Sequence, residues 1–67
     1  MDEHYLLDVI IRMGSGDTIT LKHDTMLAAP PTDEYARRLG AILRREKYPE
    51  LESISINGGP LITVPRA

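Results

Sequence analysis

Residues 32–47, TDEYARRLGAILRREK, decide the fold, because they read as one helix with two different faces. At about 100° per residue, apolar side chains gather on one side and arginines on the other. The apolar side consists of Tyr35, Ala36, Leu39, Ile42 and Leu43. The other side carries Arg37, Arg38, Arg44 and Arg45. Thr32 is a natural N-cap, and Pro49 ends the helix near Lys47.

The segment before the helix predicts a β-hairpin. Residues 5–13 and 17–23 alternate apolar and polar positions on either side of a Gly-Ser-Gly loop. A three-residue loop sets a register in which inward pairs are apolar and the outward charged pair is complementary. The pairs are Ile11 with Ile19, Val9 with Leu21, and Asp8 with Lys22. Residues 24–31, DTMLAAPP, are predicted to be a connector.

A second hairpin is predicted after the helix. Residues 51–57 and 61–64 flank Gly58-Gly59-Pro60, a turn sequence. A three-residue loop here would place Ile56 opposite Ile62 and Ile54 opposite Val64. Pro65 then ends the last strand or leaves it at an edge of the sheet.

The predicted fold is therefore a single α+β domain over residues 1–67, with the order ββαββ. Four mainly antiparallel strands form a sheet, and the helix packs on one face. The covered face would carry Val9, Ile11, Ile19, Leu21, Ile54, Ile56, Ile62 and Val64. Two strand orders are open: an antiparallel meander, or a β-grasp-like sheet with the last strand beside the first.

Composition narrows the class of protein. The chain has 67 residues, no cysteine and a net charge of −2, which fits one small domain without disulfides. An acidic start and an apolar stretch interrupted by Asp8 and Arg12 argue against a signal peptide. The chain also lacks the run of about 20 apolar residues that a membrane helix needs. We expect a cytoplasmic protein that does not associate with a membrane.

The arginine face is the first candidate site. Arg37, Arg38, Arg44 and Arg45 would contact a protein partner through its acidic surface, or would simply be solvated, with Glu34 paired to Arg38. Nucleic acid is the less favoured ligand, because the net charge is negative and the chain has neither phenylalanine nor tryptophan for base stacking.

The sheet face opposite the helix is the second candidate site. Leu6, Ile10 and Leu61 would be exposed there among polar side chains. We interpret them as an interface for a homodimer or a partner, although an antiparallel sheet can also present such residues to water. The free edges of the sheet offer a further binding mode, in which a partner adds a strand.

Catalytic chemistry is not indicated. His4 and Asp8 point to the open face and His23 to the core side, so these residues and Asp24 do not converge. The glycine-rich stretches lie between strands and lack the features of a phosphate-binding loop. We therefore expect a protein that is not an enzyme, with no metal and no cofactor. Gly40, inside the helix, indicates either a close approach of a strand or a partner backbone, or a tolerated surface glycine.

The pattern of elements resembles small bacteriophage host-takeover proteins, such as RNA-polymerase inhibitors and anti-CRISPR proteins of similar length. The resemblance is carried by the hairpin YLLDVIIRMGSGDTITLKH, the helix TDEYARRLGAILRRE and the strand LESISING. It implies a small inhibitor that binds a larger cellular protein. The stretch TITL also looks like the second strand of ubiquitin-like β-grasp proteins. Eight residues follow Gly58-Gly59, however, which departs from the terminal di-glycine of that family.

Overall fold

The computed structural model of the protein describes residues 1–66. Its elements are β1 (Glu3–Met13), β2 (Thr18–Leu27), α1 (Asp33–Glu46), β3 (Leu51–Ile56) and β4 (Ile62–Thr63). The strands form one antiparallel sheet, and α1 packs on one face of it over β3 and β4. The predicted α+β class and the ββαββ order are confirmed.

The first hairpin has the predicted register. Asp8 lies opposite Lys22, Val9 opposite Leu21, and Ile11 opposite Ile19. Met13 and Asp17 close the loop, and Gly16 has a φ of 97°, which a glycine adopts without strain. The loop length and the alternation of apolar and polar residues both require this register, which is why the first hairpin could be predicted from the sequence.

The second strand is longer than predicted. Residues 24–27 continue β2 up to Leu27, so only residues 28–32 connect it to the helix. The alternation persists through this extension, with Asp24 and Met26 exposed and Thr25 and Leu27 half-buried. The assignment of residues 24–31 to a connector was therefore wrong in its first half.

The strand order is β2-β1-β3-β4, which differs from both predicted alternatives. β1 is a central strand that pairs with β2 along its length and with β3 from Val9 to Met13. The connector and α1 bring the chain back across one face, so β3 reaches the side of β1 that the first hairpin leaves free. A register shift beside Arg12 and Met13 lets Leu51 and Ile54 both enter the core.

The second hairpin has a different register from the predicted one. Ile54 lies opposite Ile62, and Ser53 lies opposite Thr63. Asn57 (φ 52°) and Gly58 (φ 75°) form the tight turn, in which the Gly59 N–H donates to the Ile56 carbonyl at 3.0 Å. This two-residue turn is tighter than the predicted three-residue loop, and one extra residue follows it before the ladder resumes, so the partner of Ile54 is Ile62 instead of Val64.

The core lies between α1 and the middle of the sheet. It consists of Leu7, Val9, Ile11, Ala36, Leu39, Leu51, Ile54 and Val64. Ile42, predicted on the apolar side of the helix, is 42% exposed. It lies about 160° around the helix from Gly40, which is buried against the sheet.

Gly40 marks the closest approach of helix and sheet. A Cβ atom at this position would lie 2.5 Å from Cγ2 of Val64 and 3.3 Å from Cγ2 of Ile54. Such a distance to Val64 is shorter than real carbon contacts, so only glycine fits without movement of the neighbours. The expected close approach at Gly40 is thus confirmed, with the strand segment of the same chain as the neighbour.

Candidate functional site

Arg44 differs from the other arginines of the helix. Its Nε donates to the Leu51 carbonyl at 2.9 Å, and its two terminal nitrogens donate to the carbonyls of Val64 (2.5 Å) and Pro65 (2.9 Å). The side chain is half-buried and joins the start of β3 to the segment that follows β4. The guanidinium donors are therefore engaged inside the fold, and the prediction that Arg44 faces a partner is corrected.

The position of Gly40 explains this role of Arg44. Arg44 follows Gly40 by one turn, which places the two about 40° apart on the helix surface. Because Gly40 packs directly on Val64, the arginine one turn later reaches the carbonyl of the same residue. A helical projection from sequence shows four arginines together and does not distinguish the one nearest the sheet.

Arg37 and Arg38 line a groove between the helix and the segment after β4. We call it the arginine groove, and its lining consists of Glu34, Arg37, Arg38, Ala41, Val64, Pro65 and Arg66. Arg66 was not predicted, because only the tertiary fold brings it beside the helix. Three exposed arginines thus line one shallow, open surface.

Glu34 is the carboxylate of the arginine groove. Its Oε1 lies 3.6 Å from a terminal nitrogen of Arg38, with both side chains more than two-thirds exposed. An exposed pair at one turn's separation holds its partners weakly, so a ligand carboxylate can compete for Arg38. Arg45 is also exposed but does not line the groove.

No family model, curated protein or solved structure matches the chain. The one helix in residues 1–66 is too short and too polar to cross a membrane.

The sheet face opposite the helix carries Leu6 and Ile10, as predicted, whereas Leu61 is exposed just before β4 and outside the strand ladder. Leu6 is 59% exposed, Ile10 37% and Leu61 49%. Met26, 55% exposed, joins them because β2 continues past His23, where the predicted strand ended. The register puts Met26 opposite His4 and beside Leu6. We call this surface the open face.

Two ion pairs lie on the open face between β1 and β2. Lys22 contacts Asp8 directly opposite, and His4 contacts Asp24 diagonally. All four side chains are more than half exposed. His23 lies on the other face of β2, half-buried. Within residues 1–66, no three side chains of the histidine, cysteine and acidic types gather in a geometry that holds a metal ion.

Proposed function

We propose that this protein is a non-enzymatic interaction module that binds a larger protein through the arginine groove and Arg45, and modulates or inhibits that protein. The observation that carries the proposal is the convergence of Arg37, Arg38 and Arg66 on one groove. Their guanidinium groups have no backbone carbonyl partner within the described residues, unlike that of Arg44.

The chemistry of the groove favours an acidic protein segment as its ligand. Guanidinium groups bind carboxylates through two parallel hydrogen bonds, and three of them along a groove match a row of acidic side chains. Ala41 and Pro65 supply exposed apolar surface beside these charges. The resemblance to small phage host-takeover proteins favours inhibition as the consequence of binding.

Nucleic acid is the alternative ligand for the same arginines. Against it, the chain carries a net charge of −2, and its three tyrosines are half-buried on separate elements. A binding site for single strands generally offers exposed aromatic side chains on which bases stack. The alternative predicts that affinity falls steeply with salt, by about 0.7 to 0.9 log units per log unit of salt for each phosphate contact.

The test measures binding of three labelled probes to the full chain by fluorescence anisotropy at low salt. The probes are a polyglutamate peptide, a single-stranded oligonucleotide and a DNA duplex. Arg37→Glu combined with Arg38→Glu is expected to weaken peptide binding at least about tenfold. Arg12→Glu combined with Lys47→Glu is the matched control, since it makes the same change in net charge at two exposed residues that do not line the arginine groove.

The outcomes separate the two ligand classes. Peptide binding that the groove variant abolishes and the control retains supports the proposal. Tighter binding of either nucleic acid, lost in the same variant, would replace the protein partner by the alternative. If none of the probes binds, the groove is a solvated surface and the proposal fails. A positive result justifies crosslinking in an extract, with wild type, groove variant and control compared side by side.

A further inference from the structure

The two edges of the sheet differ in how they are protected. β4 contains two residues and is flanked by Pro60 and Pro65, which have no N–H to offer a new strand. β2, at the other edge, contains ten residues with neither proline nor a bulge. Natural edge strands usually carry some device against pairing with another chain, and on β2 this device is charge, from Lys22 and Asp24. Charged side chains repel a strand of like charge but admit one whose charges are complementary, so the edge of β2 remains open to a matching strand.

The backbone groups of β2 that face outward can be identified from the hydrogen bonds of β1. Asp8 exchanges hydrogen bonds with Asn57, on the side of β1 away from β2. Asp8 and Lys22 therefore form a pair without mutual backbone hydrogen bonds, and Lys22 points its own N–H and C=O away from β1. By alternation along the strand, Thr18, Thr20, Asp24 and Met26 do the same.

The inward side chains of β2 are also incompletely covered. The burial along β2 alternates between exposed and half-buried, and the whole strand lacks a fully buried residue. The helix lies over β3 and β4, so Ile19 and Leu21 are at the margin of the core, and Leu27 is half-buried beyond it. A strand added beside β2 would extend the sheet and cover these apolar side chains further.

We propose that β2 pairs antiparallel with β2 of a second copy of this chain, with His23 opposite His23 at the two-fold axis. The residues of β2 whose N–H and C=O groups point to the free edge all have even numbers. In an antiparallel pair these residues must lie opposite each other to exchange hydrogen bonds, so even-numbered positions pair with even-numbered positions. Centring on His23 places Lys22 of each copy opposite Asp24 of the other. Centring on Lys22 or on Asp24 instead would put like charges directly opposite each other, which is destabilising.

The same register suits the other positions of β2. It pairs Thr20 with Met26 on the open face, and Ile19 with Leu27 on the core side. About eight backbone hydrogen bonds would join the copies, two for each outward-facing pair. Both helices would lie on one face of an eight-stranded sheet, and both arginine grooves, at the opposite edge, would stay free. The inference is independent of the ligand proposed for that groove.

The test reverses the charge on one side of the proposed Lys22–Asp24 contacts. Two variants are measured, first each alone and then as an equal mixture. In Lys22→Glu, the new carboxylate would face Asp24 of the second copy. In Asp24→Lys, the new ammonium would face Lys22. Each variant alone is expected to be monomeric, whereas an equal mixture restores two opposite-charge pairs and forms a heterodimer. Lys47→Glu, at the exposed end of the helix, is the matched control and is expected to remain a dimer.

The readout is mass by light scattering after size exclusion, at neutral pH and from micromolar to millimolar concentration. The wild type is expected near 15 kDa, twice the chain mass of 7.5 kDa. Monomeric wild type over the whole range overturns the proposal. A dimer that neither charge variant weakens also overturns it, because the contact would then lie elsewhere, for example on the open face.

A second measurement uses the unmodified chain, in case a charge variant disturbs the Asp8–Lys22 or His4–Asp24 pair and unfolds. Amide hydrogen exchange by NMR reports directly on the outward N–H groups. In the proposed dimer, the amides of Thr20, Lys22, Asp24 and Met26 are slowed at least about tenfold on raising the concentration. Fast exchange of these four amides in a dimeric sample would overturn the proposal.

Discussion

The half of the sheet under the helix and the half formed by β2 differ in what they bury. Under the helix, Leu51 and Ile54 are fully buried and Val64 is 3% exposed. The alternating side chains of β2 are instead half-buried at most. Because a chain of 67 residues buries little surface, we expect the well-packed half to contribute most of the free energy of unfolding. Four comparisons of variants test that division.

The largest difference is expected between two isoleucines, one in each half. Ile54→Ala removes a fully buried side chain beneath the helix and should lower the free energy of unfolding by about 2–5 kcal/mol. Ile19→Ala, on β2, removes a half-buried side chain and should cost clearly less. Urea denaturation followed by circular dichroism measures both, and equal losses would mean that the two halves contribute alike.

Arginines of the same helix should differ next. Arg44→Ala removes three hydrogen bonds from a charged group to backbone carbonyls, and we expect a loss of about 1.5–3 kcal/mol. Arg45→Ala, one position later and exposed, should leave the denaturation midpoint unchanged. The assignment of Arg44 to the fold would be wrong if both variants had the stability of the wild type.

Gly40→Ala should destabilise the protein although alanine is the better helix former. The gain in helix propensity is about 1 kcal/mol, and the clash with Val64 costs about 1–3 kcal/mol, so a net loss of about 1 kcal/mol is expected. Adding Val64→Ala to Gly40→Ala should then cost less than Val64→Ala does alone. Thermal unfolding of the four proteins of this double-mutant cycle measures the coupling, and strict additivity would contradict the contact.

The smallest effect is expected for the Asp8–Lys22 pair on the open face. Both side chains are more than half exposed, and exposed ion pairs contribute about 0.2–1 kcal/mol. A cycle of Asp8→Ala and Lys22→Ala should show a coupling in the lower part of that range at low salt and almost none at high salt. A large coupling free energy that persists at high salt would mean that this ion pair, and with it the β2 half, contributes substantially to stability.

Features of the fold that depend on residues close together in the chain could be predicted from the sequence, and features that depend on distant residues could not. The register of the first hairpin and the Thr32 N-cap depend on residues close in the chain, and both were predicted. The strand order was not, because it depends on the path by which residues 28–32 and α1 return the chain across the sheet. The second hairpin shifted because Asn57 adopts a positive φ and makes the turn tighter than a three-residue loop.

The candidate site shows the same limit. Helical periodicity placed Arg37 and Arg38 together on one side correctly, and both line the groove. It could not separate Arg44, whose role depends on the Leu51 carbonyl beyond the end of the helix and on the carbonyls of Val64 and Pro65, about twenty residues away in the chain. Arg66 lies outside the helix, so helical periodicity cannot relate it to Arg37 and Arg38. Only the tertiary structure shows that it lines the same groove.

The central position of β1 also determines the order in which the protein can fold. β1 and β2 are joined by a short loop, so this hairpin can form within microseconds. The second neighbour of β1 is β3, which pairs with residues Val9 to Met13. The Val9–Ile56 contact in this ladder closes most of the chain into a loop. We therefore expect the rate-limiting step to be the docking of β3 and α1 onto a preformed hairpin, with contacts of Ile54 absent until the barrier is crossed.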